Sequence, residues 1–117
     1  MMRPGTDKLL AKATRALATA ESALTQGALD VAAGRAFYAM LNAAKARLNE
    51  SGLRPHTHLR IAAAYETLPE IEEAPAAWLG EALALRARMA AEPEGLAFEA
   101  VDELIARARR FVEAAQS

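Results

Sequence analysis

Cysteine is absent from this 117-residue chain, which removes disulfides, thiolate catalysis and cysteine-ligated zinc or iron-sulfur centres from the functions it can have. A chain without cysteine is compatible with a reducing compartment. Breakers are few, with six glycines and five prolines, and β-branched residues are scarce, so little in the composition favours strands. Long apolar runs are missing too. Met1-Met2-Arg3-Pro4-Gly5 leads into a segment punctuated by Lys8, Lys12 and Arg15, which interrupts any continuous core of a secretory signal. No stretch is apolar for the length a membrane-spanning helix needs. The expectation is a soluble, cytoplasmic protein. The formal net charge of -1 argues against a protein that coats nucleic acid nonspecifically.

Alanine fills the space these absences leave, at roughly a quarter of all residues, and alanine is the strongest helix former. The length fits one domain, residues 1–117, able to bury a core without metals or cross-links. Charge is uneven along it. Residues 1–60 hold Arg3, Lys8, Lys12, Arg15, Arg35, Lys45, Arg47, Arg54 and Arg60 against Asp7, Glu21, Asp30 and Glu50. The remainder is acidic. Two readings fit this bias: solvated helix faces with uneven residue usage, or a basic surface for phosphates in the first half.

Periodicity divides the chain into helices. Thr6 can cap a first helix over about 6–26, in which Leu9, Leu10, Ala13, Leu17, Ala20 and Leu24 recur at helical spacing, and Gly27 stands at its C′ position. A long second helix places Val31, Tyr38, Leu41, Ala44 and Leu48 on one stripe beside Phe37, and Gly52 closes it. Pro55 forces Arg54 out of helical geometry, so the chain turns before Thr57, a good N-cap. The third helix runs to about Leu68, where Pro69 stops it. The acidic link Glu70 to Glu73 follows. Pro75 suits the first turn of a fourth helix with Trp78, Leu79, Ala82, Leu85 and Met89 inward. After the turn Glu92-Pro93-Glu94-Gly95, a fifth helix shows Phe98, Val101, Ile105, Ala108 and Val112, with Leu104 and Phe111 alongside. Short links between long amphipathic helices predict an all-α, antiparallel up-and-down bundle of about five helices. The alanine-rich face of the second helix, with Leu41 and Leu48, is a candidate dimer seam.

Chemistry-bearing residues concentrate between Arg35 and His58. Both histidines, His56 and His58, lie there. An imidazole could serve as general acid or base at an RNA 2′-hydroxyl, with Arg54 or Arg47 meeting the developing phosphorane charge. Alternatively, His58 bonds across the bundle and His56 is solvated. Two histidines without a nearby carboxylate set make a weak metal site, so no metal or cofactor is expected. Arg35 and Tyr38, three residues apart, share a face and could meet a phosphate, a base or a buried partner. The Arg107, Arg109 and Arg110 group has its own account as cations near a helix C-terminus.

Together Gly27, Ala32, Arg35-Ala36-Phe37-Tyr38-Ala39-Met40, Ala43-Ala44-Lys45-Ala46, Leu48, Gly52 and Thr57-His58 resemble the HEPN domain family (higher eukaryotes and prokaryotes nucleotide-binding). The later Arg86 and Ala108-Arg109-Arg110-Phe111-Val112 extend the likeness over most of the chain. The resemblance implies a self-associating helical bundle, often beside a minimal nucleotidyltransferase in toxin-antitoxin pairs, and in many members a metal-independent RNase. The RNase branch carries an Arg and a His with roughly four to six residues between them. Here Arg54 and Arg47 sit at other spacings from His56 and His58, and Ala90-Ala91 stands where an Asp-Tyr pair is common. The expectation is therefore a noncatalytic binding or regulatory subunit, a homodimer with a nucleotidyltransferase partner, that contacts nucleotide or RNA. Its ligand-binding residues would be Arg35, Tyr38, Lys45, Arg54, Thr57 and His58. Arg35 and Arg54 would hold phosphates, Tyr38 would stack, and Thr57-His58 would aim a helix N-terminus at an anion. The alternatives are an RNase toxin with a displaced pair drawn from His58, His56 and Arg54, and a bundle that serves assembly alone.

Overall fold

In a computed structural model that describes residues 2–117, the first helix, α1, spans Thr6–Thr25 and the second, α2, Leu29–Glu50. Gly27 and Gly52 end them at φ +77° and +81°. Each closes a six-to-one turn. The Ala28 N–H reaches the Ala23 carbonyl at 2.9 Å and the Leu53 N–H reaches the Leu48 carbonyl at 2.9 Å, the arrangement a left-handed C′ glycine permits. Thr6 is not the expected cap. It is the first helical residue, its side chain 2% exposed, and its hydroxyl donates to Glu50 Oε2 at 2.6 Å. The structure thus uses it to tie the start of α1 to the end of α2.

Thr57 does cap α3, His58–Tyr65, accepting the Arg60 N–H at 3.1 Å. Ala77–Ala91 forms α4, with Pro75 just ahead of it, and a 3₁₀ turn at Pro93–Gly95 leads to α5, Phe98–Gln116. These are five α-helices with no strand among the described residues. They form a helical bundle in which α2 packs against each of the other four helices. The α1 and α2 axes are antiparallel, and α5 runs antiparallel to α1, as the Arg109–Glu21 pair at 2.8 Å and the Gln116–Thr14 bond at 3.3 Å record.

The core is built from small residues. Ala32, Ala36, Ala39 and Ala44 of α2 are fully covered, beside Met40, Leu48, Val101 and Leu79. Alanine lets helix axes approach closely, so one helix can be wrapped on several sides. This overturns two expectations about α2. Val31 and Tyr38, placed on its inner stripe with Leu41, Ala44 and Leu48, are 48% and 40% exposed, because the alanine faces fill the core instead. The proposed dimer seam is also spent: Leu41, Leu48 and the alanines are buried inside the protomer. Near the starts of α3 and α5, Leu59 and Phe98 also turn outward. No helix among the described residues is long and apolar enough to cross a membrane.

Candidate phosphate-binding groove

At the end of the bundle where α1 starts and α2 stops, a polar knot fixes the backbone. Asn49, 4% exposed, donates through Nδ2 to the Pro4 carbonyl at 3.1 Å and to Thr6 Oγ1 at 2.9 Å. Its Oδ1 accepts Arg54 Nε at 2.9 Å, and Arg54 Nη2 also reaches the Pro4 carbonyl at 3.3 Å. Glu50 accepts from the Thr6 hydroxyl and from the Arg3 N–H at 2.7 Å, and these bonds hold its carboxyl below the usual carboxylate range. The result is a guanidinium anchored on one edge while its outer side remains exposed.

Beside this knot lies a groove of about 530 Å³, within the size range of small-molecule sites. Lys8 and Lys12 line it from α1, Lys45 from α2, and Arg54 and His56 from the link before α3. Leu9, Leu53 and Pro55 supply an apolar wall. No carboxylate lines it. Asn49 forms part of the floor, and Gly5 brings in the start of α1, which has no side-chain cap. Four basic side chains around one concavity, with no carboxylate in its lining, concentrate positive potential where a phosphate could sit. A second cavity, of about 390 Å³, opens between α4 and α5, but Glu81 and Glu103 line it with Arg88 and Arg107. There Arg107 lies 4.8 Å over the Trp78 ring and pairs with Glu81 and Glu103, so its charge is matched. Arg109 is matched as well, by Glu21; ion pairing, more than a helix terminus, accounts for these two C-terminal arginines.

The residues singled out in the sequence fall into distinct places. Lys45 and Arg54 meet in the groove, joined there by His56. Arg35 and Tyr38 are both exposed on α2, the guanidinium carbon 5.6 Å from the ring centroid. Thr57 spends its hydroxyl on the α3 cap. His58 faces another way: its Nδ1 lies 3.0 Å from Arg86 Nη1, and its ring meets Phe37 edge-on at 5.5 Å. A guanidinium only donates, so Nδ1 accepts and the ring proton rests on Nε2. Arg86 also lies 5.1 Å over the Phe37 ring. Arg47 is drawn into structure, bonding the Tyr65 hydroxyl at 2.7 Å and the Pro69 carbonyl at 3.0 Å. Burial raises the Tyr65 phenol above its ordinary value, and the Arg47 bond opposes that only in part.

Lys8, Lys12 and Asn49 were not among the sequence candidates. The Lys8–Lys12 spacing of four residues does mark one helix face, but which second helix lies alongside is a tertiary fact. The Arg86–His58 meeting is likewise invisible in sequence. Among the described residues no group of three or more His, Asp or Glu is placed to hold a metal ion. The family model for the HEPN domain matches residues 6–117. No curated protein and no solved structure matches the chain.

Proposed function

Because this chain belongs to the HEPN domain family, a nucleotide- or RNA-related role follows, and we propose that it is a noncatalytic binding and regulatory subunit holding a phosphate-bearing ligand in the α1–α2 groove. The observation that carries this reading is the convergence of Lys8, Lys12, Lys45 and Arg54 on one concavity with no carboxylate in its lining. Phosphate oxygens would replace water around those cations, and the apolar wall of Leu9, Leu53 and Pro55 would take the flank of a sugar or base. In the cell the subunit acts in the cytoplasm as a homodimer beside a nucleotidyltransferase, in a toxin-antitoxin-like pair. Arg35, Tyr38, Thr57 and His58 lie outside the groove lining, so the primary phosphate contacts are assigned to Lys45 and Arg54 among the sequence candidates.

Calorimetric titration with AMP and with a short RNA tests the groove. The double variant Lys45→Ala/Arg54→Ala should weaken both ligands at least tenfold, and a wild-type protein that binds neither sinks the proposal. Co-expression with the product of a neighbouring nucleotidyltransferase gene tests the pairing: co-purification as a defined complex is expected.

A second reading has its own observation, the 3.0 Å contact of Arg86 with His58. It brings together across α3 and α4 the residue types that a metal-independent RNase needs, the His58 ring being able to take a proton from a 2′-hydroxyl at Nδ1 once that nitrogen is released from Arg86. Cleavage of RNA by purified protein, abolished by His58→Ala and by Arg86→Ala, would establish it. Intact RNA after prolonged incubation across pH 6 to 9 would dismiss it.

A further inference from the structure

The groove has a continuation along the bundle. Tyr38 precedes Lys45 by seven residues, which on a helix places the two about 10 Å apart along the axis and within roughly 20° in azimuth. Between them Asn42 is buried, its amide spent on the Tyr38 carbonyl at 2.9 Å. Along this side α2 therefore carries, from buried Asn49 at the groove floor, first Lys45, then Tyr38 and then Arg35. On α1 the stripe of Lys8 and Lys12 continues to Arg15, again seven residues beyond Lys8 and exposed. Antiparallel packing brings the two stripes together at the groove, where Lys8 and Lys12 share one lining with Lys45. Among the described residues Lys8, Lys12, Arg15, Arg35 and Lys45 take part in none of the ion pairs.

We propose that this face is a path for single-stranded RNA several nucleotides long, with phosphates seated at Lys8, Lys12, Lys45 and Arg54 and a base stacked on Tyr38. This rests on the groove reading and names its ligand. From Asn49 to Arg35 the stripe spans fourteen residues, about 21 Å of helix axis, which exceeds one nucleotide. A mononucleotide in the groove leaves Tyr38 untouched two turns away. Tyr38 is 40% exposed, with Arg35 5.6 Å from its ring, the pairing of aromatic face and guanidinium that sequence-tolerant single-strand binders use. An acidic peptide would satisfy the cations but has no use for that platform.

The test compares AMP with fluorescein-labelled hexauridylate by anisotropy and competition on the intact chain. Hexauridylate should bind at least tenfold tighter than AMP, and its affinity should fall about 50-fold between 50 and 200 mM salt if four phosphates are engaged. Tyr38→Ala should weaken the hexamer about tenfold, leave AMP unchanged, and be rescued by Tyr38→Phe. Because Tyr38 is exposed, an unchanged melting curve verifies that the variant folds. Equal affinity for AMP and hexamer, or a Tyr38→Ala variant that binds the hexamer as wild type does, overturns the path while the groove reading stands. Absence of binding by both ligands overturns the groove and the path together. Displacement of the bound hexamer by hexaglutamate at equal concentration would overturn RNA in favour of an acidic peptide.

Discussion

Asn49→Ala separates the groove from its scaffold more directly than any lysine variant. The side chain is 4% exposed and makes three hydrogen bonds, two donated to Pro4 and Thr6 and one accepted from Arg54. Each intramolecular bond contributes about 1 kcal/mol net. The bond to exposed Arg54 counts for less, and Thr6 keeps Glu50 as a partner, so the loss comes to about 2 kcal/mol. Unfolding entropy scales with length, and for 117 residues it is about 0.25 kcal/mol/K near the midpoint. The melting temperature should then drop by about 8 °C.

The same variant releases Arg54 Nε and leaves the guanidinium held only by the 3.3 Å bond of Nη2 to the Pro4 carbonyl, so it is less fixed at the groove edge. Ordering it on binding then costs about 0.5–1.5 kcal/mol, and affinity for hexauridylate should fall about fivefold. Differential scanning calorimetry and anisotropy on one preparation read both quantities. A variant that melts within 1 °C of wild type would refute the view of Asn49 as the tie between the two helix ends. Normal affinity with a lowered melting temperature would show that Arg54 needs no anchoring to serve the groove.

Three further perturbations bear on the fold. Met40 is fully buried at the centre of α2, so Met40→Ala should cost about 3 kcal/mol in urea unfolding; a loss below about 1 kcal/mol would mean that the alanine core collapses around the gap. At Gly52, φ +81° sets the cost, since an added Cβ meets only the flexible Arg3 guanidinium at 3.2 Å; Gly52→Ala should lower stability by about 1 kcal/mol, and a neutral result would contradict a left-handed closing turn at the end of α2. Tyr65 has a raised folded-state pKa, so its burial stabilises fully below the ordinary value of 10.0 and the stability is lost as pH rises through the folded value. Urea midpoints should fall as pH rises above 10.0, and Tyr65→Phe should flatten that fall.

What the sequence disclosed was what is local. Gly27 and Gly52 announce their turns because a left-handed C′ position wants glycine, and Thr57 announces its cap because its hydroxyl precedes an apolar run after Pro55. The all-helical class follows from alanine content and period. Orientation around α2 did not follow. Its apolar residues occupy nearly every azimuth, so the stripe of Val31, Tyr38 and Leu41 looked as buried as any other. Only the number of helices packed around α2 decides that Ala36 and Ala39 go inward while Tyr38 goes out. The site divided for the same reason. Phe37 and Tyr38 are neighbours in sequence, yet a helix turns them by about 100°, sending Phe37 to His58 and Arg86 and leaving Tyr38 beside Arg35.

The same division limits where α2 can carry a site. A helix surrounded by four neighbours has little surface to spare, and on α2 the polar residues survive only where packing leaves gaps. Arg47 falls under α3 and is consumed by Tyr65 and Pro69. Lys45, half-buried two residues earlier, faces the groove. The two histidines are parted in the same way: His56 lies in the cationic groove near Arg54, and His58, across one capping residue, is held by Arg86. The Arg54–His56 neighbourhood thus joins residues two apart on one link, whereas the His58–Arg86 neighbourhood is made by tertiary packing. A phosphate-binding function needs only the first of them, whereas RNA cleavage needs the second, so His56→Ala and His58→Ala should act on different measurements. Loss of hexauridylate affinity belongs to His56, and any loss of cleavage belongs to His58; the opposite assignment would exchange the roles of the two ends of one short link.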